Sequence, residues 1–183
     1  MFKTIECYEV QIPAVISKLL MSCASKDFAR LILNHVHIEY DAETDTTTIV
    51  STNAHIMCIA SIKENIGITG DYIPVRNANG LWRLDKNTNE NILAFPNYKK
   101  VVPNEDNQID IGTLKPSKQN SMCNQIRTSG RLSVDLQYLA LLKGFPWTIT
   151  QKETPELNSP YVFKSTHDKW ELKIVLMPVT PDK

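Results

Sequence analysis

Ile92-Leu93-Ala94-Phe95-Pro96-Asn97-Tyr98-Lys99-Lys100-Val101-Val102-Pro103 is the stretch on which the reading of this chain turns. Pro96 fixes its own φ and biases Phe95 toward extended backbone, and Pro103 does the same to Val102. The segment is therefore predicted as a stiff, extended strap rather than a helix. Phe95 and Tyr98 are expected to anchor it on a core, leaving Lys99 and Lys100 in water. On the residues alone, an ordinary proline-bounded loop laid over a hydrophobic surface is the simpler reading.

Around this strap lies a chain of 183 residues, enough for one domain with a sizeable core or two very small ones. Apolar residues make up 42% and charged residues 22%, as in an ordinary globular protein. Lys+Arg and Asp+Glu are both 20, so the chain is not a generally basic nucleic-acid coat, although a local basic strip remains compatible with that balance. No stretch approaches the roughly 20 apolar residues of a membrane span. The opening residues, Met-Phe-Lys-Thr-Ile-Glu-Cys, carry an early acid and no apolar signal core, so a cytoplasmic protein is expected. Cys7, Cys23, Cys58 and Cys123 are far apart and read as small buried hydrophobes; no structural metal or cofactor is expected.

N-terminal to the strap, residues 4–10 suggest a short strand. Ile12, Val15, Ile16, Leu19, Leu20 and Cys23 then recur on one helical face, with Pro13 in the first turn, predicting a helix over residues 12–25. Residues 32–40 alternate as a strand, residues 41–45 read as a polar turn, and strands are expected over 46–51 and 54–62. His35 and His37 share one face of the first of these strands. That spacing suits metal ligation, but no third ligand accompanies it. The plan is strand, helix, three antiparallel strands.

Residues 63–130 are punctuated by glycine, proline and asparagine and read as an irregular connection of short strands and straps, with apolar pieces at 72–75, 81–84, 92–95 and 109–111. Residues 115–129 read as a polar loop. Ser133 or Asp135 then caps a short helix carrying Leu136, Leu139, Ala140 and Leu142, with Gly144 as its stop. Strands follow at 147–151, 161–165 and 170–177. The same supersecondary plan thus occurs twice. The expected fold is α+β, with both helices packed on one face of antiparallel sheet. It divides residues 1–183, as a single domain, into a first half (1–62), the connection (63–130, with the strap at 92–103) and a second half (131–183).

Four segments carry a resemblance. Phe95 to Pro103 resembles the Phe-Pro-Asp-Tyr-Arg-Arg-Val-Leu-Pro segment of the bacterial DNA polymerase III β subunit, the sliding clamp, where it closes the middle domain. Ser51-Thr52-Asn53-Ala54-His55-Ile56-Met57 resembles that family's Thr-Asp-Gly-His-Arg-Leu, and Val175-Leu176-Met177-Pro178-Val179 resembles its C-terminal Val-Met-Pro-Met-Arg-Leu. More weakly, Ser133 to Leu142, with Tyr138 and Leu139 in register, resembles its Phe-Asn-x-x-Tyr-Leu helix start. The order along the chain is preserved. The chain looks like the first half of the family's middle domain joined through the strap to the second half of its last domain. Departures are Asn53-Ala54 for Asp-Gly, where the tight turn is expected to differ, Ile56 where the family has Arg, and a C-terminus reading Val179-Thr180-Pro181-Asp182-Lys183.

The resemblance implies a DNA-clamp-like domain and a non-enzymatic replication accessory protein of the processivity-factor type. Its partners would be replication proteins carrying clamp-binding peptides. Thr52, His55, Ile56, Pro103, Val175, Met177 and Pro178 would line the peptide pocket. Each buried Leu or Phe anchor contributes roughly 1.5–3 kcal/mol, so two anchors and a few hydrogen bonds reach about micromolar affinity. Duplex DNA, encircled without sequence readout, would meet Lys18, Lys26, Arg30 and Lys143. If each chain supplies one domain, a closed ring calls for about six copies. Two other readings compete: a monomeric adaptor that keeps the peptide pocket, and a hydrolase built on His55, His167 and Asp168. The last lacks a phosphate-cradling loop, a nucleophile elbow or a metal-binding helix motif.

Overall fold

The computed structural model describes residues 6–86, 94–116, 134–156 and 158–178. It divides into two compact units, Met1–Pro96 and Asn97–Lys183.

Among the described residues the first unit is a six-stranded antiparallel sheet in the order β1 (Glu6–Gln11), β6 (Leu81–Lys86), β5 (Gly70–Ala78), β2 (Val36–Asp41), β3 (Thr46–Thr52), β4 (Ile56–Ile62). It opens with β1 (Glu6–Gln11) and α1 (Ala14–Cys23). Ile16, Leu19, Leu20 and Cys23 form the buried stripe of α1, which packs on the sheet, whereas Val15, expected on the same face, is exposed. The helix is shorter than residues 12–25. Pro13 sits at the N-cap, and Ala24 is already extended because the Ser25 amide donates to the Leu33 carbonyl (2.8 Å). β2 (Val36–Asp41), β3 (Thr46–Thr52) and β4 (Ile56–Ile62) follow as a meander.

Three expectations change here. Residues 32–35 do not begin β2; residues 28–34 form a 3-10 segment, and His35 ends it with its Nδ1 at 2.8 Å from the Leu31 carbonyl oxygen. His35 is buried while His37 is half-exposed on β2, where its Nδ1 lies 2.7 Å from Asp71 Oδ1 and its ring stacks on Phe95 (5.2 Å between centroids). The two histidines therefore do not share a strand face. Cys23 and Cys58 are buried as expected, but Cys7 is exposed on β1, its thiol accepting from Arg83 Nη2 (3.1 Å); Cys123 lies outside the described residues.

Within the stretch read as an irregular connection, β5 (Gly70–Ala78) and β6 (Leu81–Lys86) form a hairpin inserted between β2 and β1. Asn79 and Gly80 both have positive φ (55° and 81°), the conformation a two-residue hairpin turn demands. Pro74 is accommodated by a register shift before Arg76.

The second unit orders its described strands β10 (Trp170–Leu176), β9 (Tyr161–His167), β8 (Trp147–Lys152), β7 (Gln108–Leu114). β7 (Gln108–Leu114) is followed by α2 (Leu136–Leu139), which continues as a 3-10 turn over Ala140–Leu142. Asp135 caps it by accepting from the Gln137 amide (2.9 Å), and Gly144 (φ 89°) stops it. β8 (Trp147–Lys152), β9 (Tyr161–His167) and β10 (Trp170–Leu176) complete the unit. Leu139, Leu142, Phe145, Trp147, Phe163 and Ile174 form its core, and Trp147 Nε1 donates to the Leu142 carbonyl (2.8 Å). Both units therefore carry the strand, helix, three-strand plan read from the sequence, the first with a hairpin added.

The strap is not extended throughout. Residues 98–100 close a 3-10 turn, with the Val101 amide donating to the Tyr98 carbonyl (2.9 Å). No proline stands between 97 and 102 to prevent it. Tyr98 is buried and Lys99 and Lys100 are exposed, as expected. Residues 92–93, and most of the loop expected over 115–129, lie outside the described residues.

Candidate functional site

In the first unit the site residues sit on the β3–β4 turn. Thr52 is buried; its Oγ1 donates to the Ile56 carbonyl (2.8 Å) and accepts from the Ala54 amide (3.1 Å). Asn53 Oδ1 accepts from the amides of His55 (2.9 Å) and Ile56 (3.0 Å). These bonds hold Ala54 at φ 78°, a left-handed conformation that ordinarily favours glycine. A tight turn forms here with Ala54 in its left-handed position. His55 projects into solvent, whereas Ile56 is only 1% exposed and belongs to the core of this unit.

In the second unit Val175 is buried near the end of β10, and Met177 and Pro178, immediately after that strand, are half-buried. Pro103 leaves the strap half-buried and lines a groove of about 210 Å³, opposite Pro160, with Asn104, Asn107, Gln108 and Lys152 around it. The amide oxygen of Gln108 is buried without a hydrogen-bond partner among the described residues. Lys152 pairs with Glu156 across 3.0 Å. The groove thus sets two rigid apolar walls among amide side chains, a chemistry suited to an extended peptide.

The turn bearing this groove is pinned. Glu105 receives Lys173 Nζ at 2.8 Å and Lys164 Nζ at 2.9 Å, and Asn104 Oδ1 caps the turn by accepting from the Asp106 amide. Hydrogen bonds from Lys173 and then Lys164 lower the Glu105 pKa from 4.5 to about 2. Lys164 and Lys173 are directly opposite on β9 and β10, so the carboxylate also relieves a like-charge pair.

Among the cations, Lys18 on α1, Lys26 and Arg30 after it, and Lys143 after α2 are all exposed, and Arg30 Nε lies 3.8 Å from Asp27. His167 is 3.7 Å from Asp168 and packs edge-on against Phe145. Among the described residues no group of three His, Cys, Asp or Glu side chains is placed to hold a metal ion. No helix among them is long and apolar enough to cross a membrane. The sequence reading missed Gln108, Pro160 and Glu105. Pro160 and Pro103 are far apart in the chain, and Glu105 finds its lysines only through the β9–β10 register.

This α+β arrangement, antiparallel sheet with a helix in each strand-helix-three-strand unit, is the DNA-clamp fold. No protein-family model matches the chain, and no curated protein matches it. Solved structures do. The DNA polymerase III beta chain of Streptococcus pneumoniae TIGR4 aligns with 98% of this chain and 66% of its own, at TM-score 0.62 and 11% identity. DNA polymerase III subunit beta of Borrelia burgdorferi aligns with 97% of this chain and 65% of its own (TM-score 0.56, 12% identity). The Helicobacter pylori beta clamp bound to a DNA ligase peptide aligns with 98% and 68% (TM-score 0.56, 14% identity). At such identities the likeness is one of fold, and the chain spans 65 to 68% of the length of these clamps.

Proposed function

We propose that this protein is a non-enzymatic, sliding-clamp-type accessory factor of DNA replication, acting in the cytoplasm as a homo-oligomer. The observation that carries the proposal is the clamp fold extending over nearly the whole chain. β1 ends the strand order of the first unit and β7 that of the second, and each has one strand neighbour among the described residues. Such edges pair with those of another copy, and closure of the resulting ring around duplex DNA needs no base readout. Lys18, Lys26, Arg30 and Lys143 supply the cations for that contact.

The partners proposed are replication proteins carrying clamp-binding peptides, received by the surface at His55 and by those at Pro103 and at Met177 and Pro178, with Thr52, Ile56 and Val175 buried behind them. The H. pylori clamp's bound DNA ligase peptide supports this chemistry. A second reading, a monomeric adaptor, is favoured by the groove at Pro103, whose walls lie entirely within the second unit. Titrating a fluorescent DNA-ligase-type peptide tests the pocket common to both. Micromolar binding is expected, weakened about tenfold by Pro103→Ala through loss of an apolar wall. Binding that Met177→Ala and Pro103→Ala both leave unchanged contradicts the site.

A further inference from the structure

Phe28 is 86% exposed, the most exposed of the large apolar side chains among the described residues. Its backbone is not loose. The Asp27 carboxylate caps the following turn by accepting from the Ala29 amide (2.9 Å), and Ser25 Oγ accepts from the Asp27 amide (3.1 Å). The Ser25 amide donates to the Leu33 carbonyl (2.8 Å) and the Arg30 amide to the Asp27 carbonyl (3.1 Å). The loop after α1 therefore presents an aromatic ring to water in a conformation fixed beforehand, which lowers the entropy lost on binding.

The flanking charges indicate what covers the ring. Lys26 and Arg30 stand on either side of Phe28 and are exposed, as is Lys18 on α1. The one acid between them, Asp27, is committed to the cap and lies 3.8 Å from Arg30. Apolar surface beyond the ring is small, with Leu31 at 48% exposure the other large apolar side chain exposed in the loop. An apolar pocket on a protein partner would call for a broader patch. An aromatic ring between cations matches bases linked by phosphates. A base offers its face only where the strand is unpaired.

We propose that the loop after α1 binds single-stranded nucleic acid, Phe28 stacking on a base while Lys26, Arg30 and Lys18 take the adjacent phosphates. This goes beyond the clamp reading and does not depend on ring closure or on the peptide pocket. Stacking is sequence-tolerant, since every base has a π-face, and the cations make binding fall with salt.

The test is anisotropy of the full chain with a labelled oligothymidylate of about 16 nucleotides and a blunt duplex of equal length, across a salt series. The single strand should bind more tightly than the duplex. Phe28→Ala should lower single-strand affinity about tenfold with the salt slope kept, and Phe28→Trp should restore it. Lys26→Ala should instead flatten the salt slope by about 0.7. Because Phe28 is on the surface, an unchanged circular dichroism spectrum is expected for its variants. Equal affinity of wild type and Phe28→Ala, a preference for duplex, or no binding at low salt overturns the proposal. The first of these outcomes is also the one a protein-docking knob would give. A monomeric mass bears on the clamp reading and leaves this result standing.

Discussion

Replacing Glu105 by glutamine removes one negative charge from between two lysines and leaves the side chain's shape intact. In the wild type, Lys173 and Lys164 reach the carboxylate at 2.8 and 2.9 Å and hold its pKa at about 2 instead of 4.5. At about 1.4 kcal/mol per pKa unit, a fully shielded group would contribute about 3 kcal/mol. The Glu105 side chain is 59% exposed, so solvent screening reduces this to about 1 kcal/mol. A depressed carboxylate pKa stabilises the folded state fully above pH 4.5, and that stabilisation is lost as pH falls through about 2. Urea unfolding of wild type and Glu105→Gln, followed by tryptophan fluorescence, should differ by about 1 kcal/mol at pH 7. The difference should shrink in about 1 M salt, where the Debye length is about 3 Å, and vanish near pH 2. Equal stability at pH 7 and low salt, or a difference that grows on acidification, refutes the reasoning.

Two further predictions concern the turn and the tryptophans. Ala54→Gly relieves a left-handed alanine (φ 78°) and should raise stability by about 1 kcal/mol, read as an increase in thermal midpoint. Trp147→Phe breaks the buried bond to the Leu142 carbonyl and should cost about 2–3 kcal/mol, including the lost ring volume. Trp82→Phe should cost about 1 kcal/mol less, because the Trp82 indole nitrogen is buried without a hydrogen-bond partner among the described residues. Denaturant midpoints of the two variants provide the comparison.

The elements that were legible are those whose pattern is local. The stripe Ile16, Leu19, Leu20, Cys23 announces α1, and the alternation of Trp170, Leu172, Ile174 and Leu176 announces β10 because each side of those elements meets one environment. The β5–β6 hairpin was obscured by Pro74, although Asn79-Gly80 between apolar residues carried its signal. The start of β2 was misplaced because Ile32 and Leu33 suit an alternating strand, while capping by Asp27 draws their backbone into a 3-10 segment. At the site, the turn at Thr52 was legible from neighbouring residues. The groove at Pro103 was not, since its opposite wall, Pro160, arrives through strand pairing. Phe28 was silent for another reason: composition counts a phenylalanine as core until the fold shows it in water.

The central claim, a clamp-type assembly, is tested most directly by the absolute mass in solution, from light scattering on a sizing column at several concentrations, with and without duplex DNA. A ring-forming chain gives a closed oligomer whose mass settles at a fixed multiple of the 20.8 kDa chain and no longer rises with concentration. A mass that stays at one chain under all of these conditions, with DNA present or absent, contradicts it.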